Sequence, residues 1–383
     1  MKLVPIPEEK YEYYKQRLMF EGYKWDPQFV DNNTVAKYVL VLSEEEARTI
    51  AAYTDKLAKE TMKAEQFIND NLDKAKALRL PKRLKKEIQS MTNYDPEKNI
   101  RLMRFDFHPT TDGGFAISEV NSDVPGGHAE GSVVPAIAKA LLDEASAEVA
   151  LNDKQNERMV TYGYMDFSSF LVGAISKKVP KNGTIFLNHC TCYSDDRQVM
   201  EFDADRLRAA GYNVIIGAAD HINFKDKKAY SILDGNECEL DGIFRYTPVE
   251  WLMDIRPKRW QGYFNTETVA CNHPVSLYAQ TKRFPFVWDM LEAEAHPDDS
   301  AARQGAGRTG QTPDGDRTGA GGCVRKVQGC ADHGGGDRLC RLYRQRDCLC
   351  CQVTTKRKSA SYSLKMQIYA EFLRLQAENG GIT

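Results

Sequence analysis

The sequence predicts an α/β protein, and three observations carry that expectation. Two alternating runs, Arg101–His108 and Phe115–Asn121, flank a short Asp-Gly-Gly turn and read as a β-hairpin. Farther along, strand-like Thr184–Leu187, amphipathic Gln198–Ala210 and strand-like Asn213–Gly217 follow one another at βαβ spacing, which requires parallel pairing. Before both lies a Lys/Glu/Ala-rich stretch with apolar residues at helical spacing, Ile50, Tyr53, Leu57, Met62 and Phe67.

In chain order, the first forty residues are aromatic-rich and read as partly extended, with Ala36–Leu42 a strand or buried segment. Ser43 followed by Glu46 is a capping box, so a helix starts there and runs to about Met91 with a break near Pro81. After the hairpin, the glycine-bearing loop Val124–Gly131 leads into an apolar helix over Val133–Leu142. Met165–Ser176 reads as helix, Gly211 ends the helix before the Asn213 strand, and Asp241–Tyr246 is a further strand. Pro274–Met290 predicts a helix rich in Phe, Val and Trp, and Ser361–Glu378 regains helix character.

Composition bounds the function classes. The chain has 383 residues, 42% hydrophobic and 28% charged, which is ordinary for a soluble globular protein able to bury a sizeable core. A net charge of −2 argues against a general nucleic-acid binder. No run approaches the length of a membrane span, and charged Met1–Lys10 with Pro5 and Pro7 is unlike a signal peptide, so the expected location is cytoplasmic.

The chemistry concentrates in the hairpin. Arg104 and Asp106 share one strand face, Glu119 and Asn121 share a face of the returning strand, and pairing in register brings all four together. Two carboxylates and an amide oxygen make a hard donor set suited to Mg²⁺, and a neighbouring arginine can neutralise a transferring phosphoryl group. Taken alone, the four residues also fit a cross-strand salt-bridge ladder. The continuation Glu119-Val-Asn-Ser-Asp123-Val-Pro-Gly126-Gly127 adds a loop whose backbone N–H groups can hold a carboxylate or acyl phosphate. Glu250 beside Trp251 offers a carboxylate and an aromatic face for an amine, or equally a helix start with a core tryptophan. His189, Cys190 and Cys192 lack a second pair at zinc spacing and read as a buried or partly buried neutral group. Tyr193–Arg197 reads as a helix start capped by Asp195 or Asp196.

Arg-x-Asp-x-His at 104–108, the turn, and Glu-x-Asn-x-Asp-x-Pro at 119–125 resemble the glutathionylspermidine synthase family, whose synthetase domain is of the ATP-grasp type. Phe244–Trp251 and Asn272–Pro285, with Lys282, resemble it too, and the likeness spans roughly residues 10–292. It implies a pre-ATP-grasp-like parallel sheet with helices plus a partial ATP-grasp (α+β) domain. The activity implied is ATP- and Mg²⁺-dependent amide formation, in which a peptide-like carboxylate becomes an acyl phosphate and an amine or polyamine attacks it. The resemblance makes Asp106, Glu119 and Asn121 Mg²⁺ ligands, Arg104 the catalytic arginine, and Arg104, Asp106 and Lys282 ATP contacts. It places Asp123, Gly126 and Glu250 on substrate. Val124 and Gly126 stand where small hydroxyl residues are common, which departs from a glutathione-like pocket. No cysteine precedes Arg104, so the Cys/His amidase domain of bifunctional relatives is expected to be absent.

The expected organisation is a family-like region over 1–292, helical over 1–100 and carrying the hairpin and α/β part over 101–292. A Gly/Arg/Cys-rich segment over 293–358 and a C-terminal helix over 359–383 follow. Six of ten cysteines lie between Cys323 and Cys351, and eleven of 27 glycines between Gly305 and Gly336. Arginine outnumbers lysine eight to one between Ala301 and Cys350. Neither the glycine runs nor the cysteine spacings make a P-loop or a zinc site. We read this segment as disordered or out of frame, with a frameshift near 292–298 and the frame restored from about Ser359. A catalytically inactive remnant or substrate-binding paralogue is the alternative function.

Overall fold

The structure is a computed structural model that describes residues 1–295 apart from 26, 30–31, 92–93, 112, 153–162 and 165, together with residues 325–327 and 366–371. β1 (Lys2–Pro5) leads into α1 (Glu8–Glu21). The short pair β2 (Gln28–Phe29) and β3 (Asn32–Asn33) precedes β4 (Tyr38–Val41), which returns antiparallel to β1. The start is partly extended, as expected, and α1 is the helix within it that the sequence reading did not mark. Pro7 stands at its N-cap, Glu8 and Glu9 complement the N-terminal dipole, and Tyr11, Tyr14 and Leu18 line its buried side.

α2 (Glu44–Asp70) starts at the expected capping box. The Glu46 N–H donates to Ser43 Oγ at 3.2 Å, and the Ser43 N–H donates to Glu46 Oε2 at 2.8 Å. The helix ends at Asn71, and a 3₁₀ turn over Lys74–Leu78 separates it from α3 (Lys82–Ser90), a wider break than Pro81 alone predicts. β5 (Leu102–Pro109) and β6 (Phe115–Asn121) form the hairpin, followed by α4 (Val133–Asn152) and α5 (Phe167–Lys178).

β7 (Thr184–Asn188), α6 (Ser194–Ala209) and β8 (Asn213–Gly217) make the βαβ unit, and β7 and β8 pair parallel. β9 (Ile222–Lys225), β10 (Lys228–Ser231) and β11 (Cys238–Glu239) form a small antiparallel sheet. After β12 (Gly242–Arg245) come short helices α7 (Val249–Leu252), α8 (Pro257–Trp260) and α9 (Gly262–Asn265), and then β13 (Val269–Cys271). The helix expected over Pro274–Met290 is broken. A 3₁₀ turn and α10 (Leu277–Gln280) stop before Thr281, and α11 (Pro285–Ala295) starts afresh. Pro285 accounts for the restart, because a proline disfavours helical geometry in the residue before it and supplies no N–H.

The protein is mixed α/β, with a four-stranded parallel sheet in the order β13-β12-β7-β8. Helices cover both faces, as an all-parallel sheet requires. Phe186 and Ile243 join the core formed with the end of α2, α3 and α11, whereas Ile185, Leu187 and Phe244 face α5 and α6. The hairpin packs Met103, Phe105, Phe107, Phe115 and Ile117 against Ile50, Leu57 and Ala58 of α2. The helical part before residue 100 and the hairpin therefore share one core.

Two further strands extend the hairpin into a sheet ordered β14-β6-β5-β15. Of the segment expected over 293–358, residues 293–295 complete α11 and Arg325–Val327 form β14, and the other expectations for it lie outside the described residues. β15 (Met366–Glu371) corrects the C-terminal helix expected over 359–383, whose remaining residues lie outside the described ones. Met366, Ile368 and Ala370 alternate with Gln367, Tyr369 and Glu371, and the open edge of β5 offers a hydrogen-bonding ladder to such a segment.

Candidate functional site

The hairpin register sets Arg104 directly opposite Asn121 and Asp106 opposite Glu119. A bulge then shifts the pairing so that Phe107 faces Ile117, leaving Ser118 as the extra residue. That single residue changes the parity of β6. Ile117 and Glu119 would otherwise share a face; with the bulge, Ile117 enters the core while Glu119 joins Asp106 on the polar side. Ser118 Oγ donates to the Asp106 carbonyl at 3.1 Å and ties the bulge down.

The four side chains converge as expected. Arg104 Nε donates to Asp106 Oδ1 at 2.8 Å and Arg104 Nη2 to Oδ2 at 3.2 Å. Asn121 Nδ2 lies 3.1 Å from Asp106 Oδ2 and 3.2 Å from Glu119 Oε1. Lys282, brought in by the segment after α10, donates to Glu119 Oε2. Asp106 is fully buried and Lys282 is 70% exposed, so the cluster runs from core to solvent. Two carboxylates and the Asn121 amide are the right hard donors for Mg²⁺, provided the amide turns its oxygen inward. Among the described residues, no group of three or more His, Cys, Asp and Glu is arranged to hold a metal. The fit therefore depends on the Asn121 oxygen.

Arg104 also reaches the following loop, donating from Nη1 to the Gly126 carbonyl at 2.8 Å. The loop is pinned at both ends. Gln280 Oε1 accepts the N–H groups of Ser122 and Asp123 at 2.8 and 3.0 Å. His128 places Nε2 2.8 Å from the Pro125 carbonyl and Nδ1 2.7 Å from Asp203 Oδ2, all buried.

Asp123, expected on substrate, is placed in the interior. It is 1% exposed, and both carboxylate oxygens are engaged. Oδ1 accepts from Arg245 Nη2 and from Ser276 Oγ at 2.7 Å, and Oδ2 accepts the Val249 N–H at 2.9 Å. The buried Arg245 guanidinium requires a counter-charge, and Asp123 supplies it. A second buried pair, Arg101 with Glu65, bonds the Ser122 carbonyl from Arg101 Nη1 at 2.6 Å. Asn272 Nδ2 donates to the carbonyls of Leu102 at 2.8 Å and Asp123 at 3.0 Å. Sequence reasoning missed Glu65, Arg101, Arg245, Asn272, Ser276 and Gln280. One signal was present: Glu65 falls on the apolar stripe of α2, among Thr61, Ala64 and Ile68.

Glu250 is an exposed residue near Asp123 and Arg245, and the partial loss of water around its carboxyl raises it above the usual range. Trp251 stacks on Tyr193 with ring centroids 5.6 Å apart, and both rings are exposed. They stand after the C-terminal ends of β12 and β7, where open α/β sheets place ligands. α6 starts at Ser194 with no side-chain cap, so Asp195 and Asp196 sit in the first turn and do not cap it. Burial and neighbouring Asp195 push the Asp196 carboxyl up to about 6. His189 is buried and its ring is pushed towards the neutral form by burial, while the sulfurs of Cys190 and Cys192 lie 3.3 Å apart.

Fold and site together define a mixed α/β protein with an oxygen-rich hairpin beside a four-stranded parallel sheet. The chain belongs to the glutathionylspermidine synthase family: residues 6–297, well over half of it, match the family described as glutathionylspermidine synthase preATP-grasp. It thereby stands in the lineage of ATP-dependent ligases. A glutathione synthetase-like effector from Globodera pallida, solved in its apo form, is similar over 76% of this chain and 70% of that one, with 11% identity and a TM-score of 0.48. No curated protein matches the chain. Among the described residues, no helix is long and apolar enough to cross a membrane.

Proposed function

We propose that the protein is an ATP- and Mg²⁺-dependent carboxylate–amine ligase of the glutathionylspermidine synthase kind, acting in the cytoplasm on a peptide-like carboxylate and an amine or polyamine. The observation that carries this reading is the convergence of Arg104, Asp106, Glu119 and Asn121 beside the Ser122–Gly127 loop in a chain of that family. Asp106, Glu119 and Asn121 would hold Mg²⁺, which when bound draws negative charge from the nucleotide phosphates. Arg104 meets the charge on the transferring phosphoryl group, and Lys282 exchanges Glu119 for a phosphate oxygen. The carboxylate lies over the loop, which Arg104 and His128 hold by the carbonyls of Gly126 and Pro125. Glu250, with the Tyr193–Trp251 stack, takes a cationic group of a substrate. Asp123 acts as a positioning residue for the loop.

The test is amine-dependent release of ADP from ATP with Mg²⁺, a panel of peptide carboxylates and a polyamine. Release that needs all three supports the ligase; none at any concentration removes it for this chain.

One observation favours the second reading, an inactive remnant or binding paralogue. The family match ends at residue 297, where the composition changes to Gly, Arg and Cys. A frameshift near 292–298 would remove much of the nucleotide-binding part and leave the hairpin able to hold Mg²⁺ and carboxylate. Resequencing the gene across codons 285–360 decides it, and a confirmed uninterrupted frame rejects the frameshift.

A further inference from the structure

Tyr246 follows β12 directly, and its side chain is packed beside His128, with ring centroids 5.9 Å apart. The residue is only 8% exposed, yet among the described residues its hydroxyl has no hydrogen-bond partner. That hydroxyl is aimed at the loop. A Cβ added to Gly126 would stand 2.6 Å from Tyr246 Oη and 3.8 Å from Cζ, so the phenol oxygen fills the space a side chain at 126 would take. The carbonyl of the same glycine accepts from Arg104. Phenol and guanidinium thus meet one loop residue from separate directions. Burial, with Asp196, Asp203 and Glu130 nearby, raises the phenol well above its ordinary value, and Arg104 opposes this only in part; the group remains a proton donor.

We propose that Tyr246 determines specificity for the carboxylate substrate. Its hydroxyl donates to an oxygen of the peptide-like ligand held over Val124–Gly127, and Gly126 is bare because that hydroxyl occupies the place of a side chain. The inference rests on the ligase reading and assigns a contact from outside the hairpin and its loop.

The experiment uses the full chain, with reduced glutathione and triglycine as calorimetric probes in the absence of nucleotide and Mg·ATP titrated separately. Tyr246→Phe is expected to weaken whichever probe binds by about tenfold, the value of one hydrogen bond to a charged group. Mg·ATP affinity and melting temperature stay unchanged. Gly126→Ala lowers the melting temperature in the native background and not in Tyr246→Phe, where the interfering oxygen is gone. Equal probe affinity in Tyr246→Phe and wild type overturns the contact, and an equal loss of melting temperature in both backgrounds overturns the steric relation. A wild type that binds neither probe contradicts the ligase reading itself.

Discussion

The hairpin cluster and the network behind it use the same residue types to different ends. Arg245 with Asp123 and Arg101 with Glu65 are almost wholly buried, and each pair is bonded further to the backbone or to serine. Arg104 with Asp106 continues outward through Asn121 and Glu119 to exposed Lys282. Position relative to solvent separates a lock from a site. The buried pairs fix where Ser122 and Asp123 run, and the graded cluster ends on the exposed Lys282–Glu119 pair, the end at which the proposed nucleotide would approach.

That contrast is broken most severely from the buried side. Asp123→Ala leaves Arg245 buried without a counter-charge and should cost about 3–5 kcal/mol, read from urea unfolding. Arg101→Met should cost a similar amount by stranding Glu65. If either change is nearly neutral, the buried pairs are not the lock. Lys282→Ala separates the two regions from the other direction. An exposed pair contributes ~1 kcal/mol or less, so stability barely moves, while Mg·ATP affinity falls several-fold in titration if Lys282 meets a phosphate.

A smaller effect concerns pH. The folded Asp196 carboxyl, at about 6, lies above its unfolded value, so the folded state binds the extra proton between pH 4 and 6. Stability contributed by this group is therefore present at pH 4 and is lost as pH rises through 6. Asp196→Asn should melt above wild type at pH 7 and level with it near pH 4; equal melting curves at both values contradict the assignment.

Much of the framework was legible because it is local. Alternation marked the hairpin, Ser43 and Glu46 marked the start of α2, and β7 and β8 followed from strand spacing. The cluster was legible because its residues occupy two adjacent strands. The bulge at Ser118 was not, since one extra residue leaves both runs looking regular, although it decides which face Glu119 takes. Asp123 sits in a loop sequence that suits a ligand, and its partner Arg245 is 122 positions away. Nothing local distinguishes a carboxylate awaiting substrate from one neutralising a buried arginine. Met366–Glu371 carries both helical and alternating apolar character, and only the open edge of β5 decides between them.

The proposed function stands or falls on whether Asp106, Glu119 and Asn121 of this hairpin hold a divalent cation. Its most direct test is a calorimetric Mg²⁺ titration of wild type and Asp106→Asn, each with ATP present and with melting temperatures checked. Wild type should bind, and Asp106→Asn should bind about tenfold more weakly or worse while remaining folded. Equal Mg²⁺ affinity in the two proteins would contradict the site.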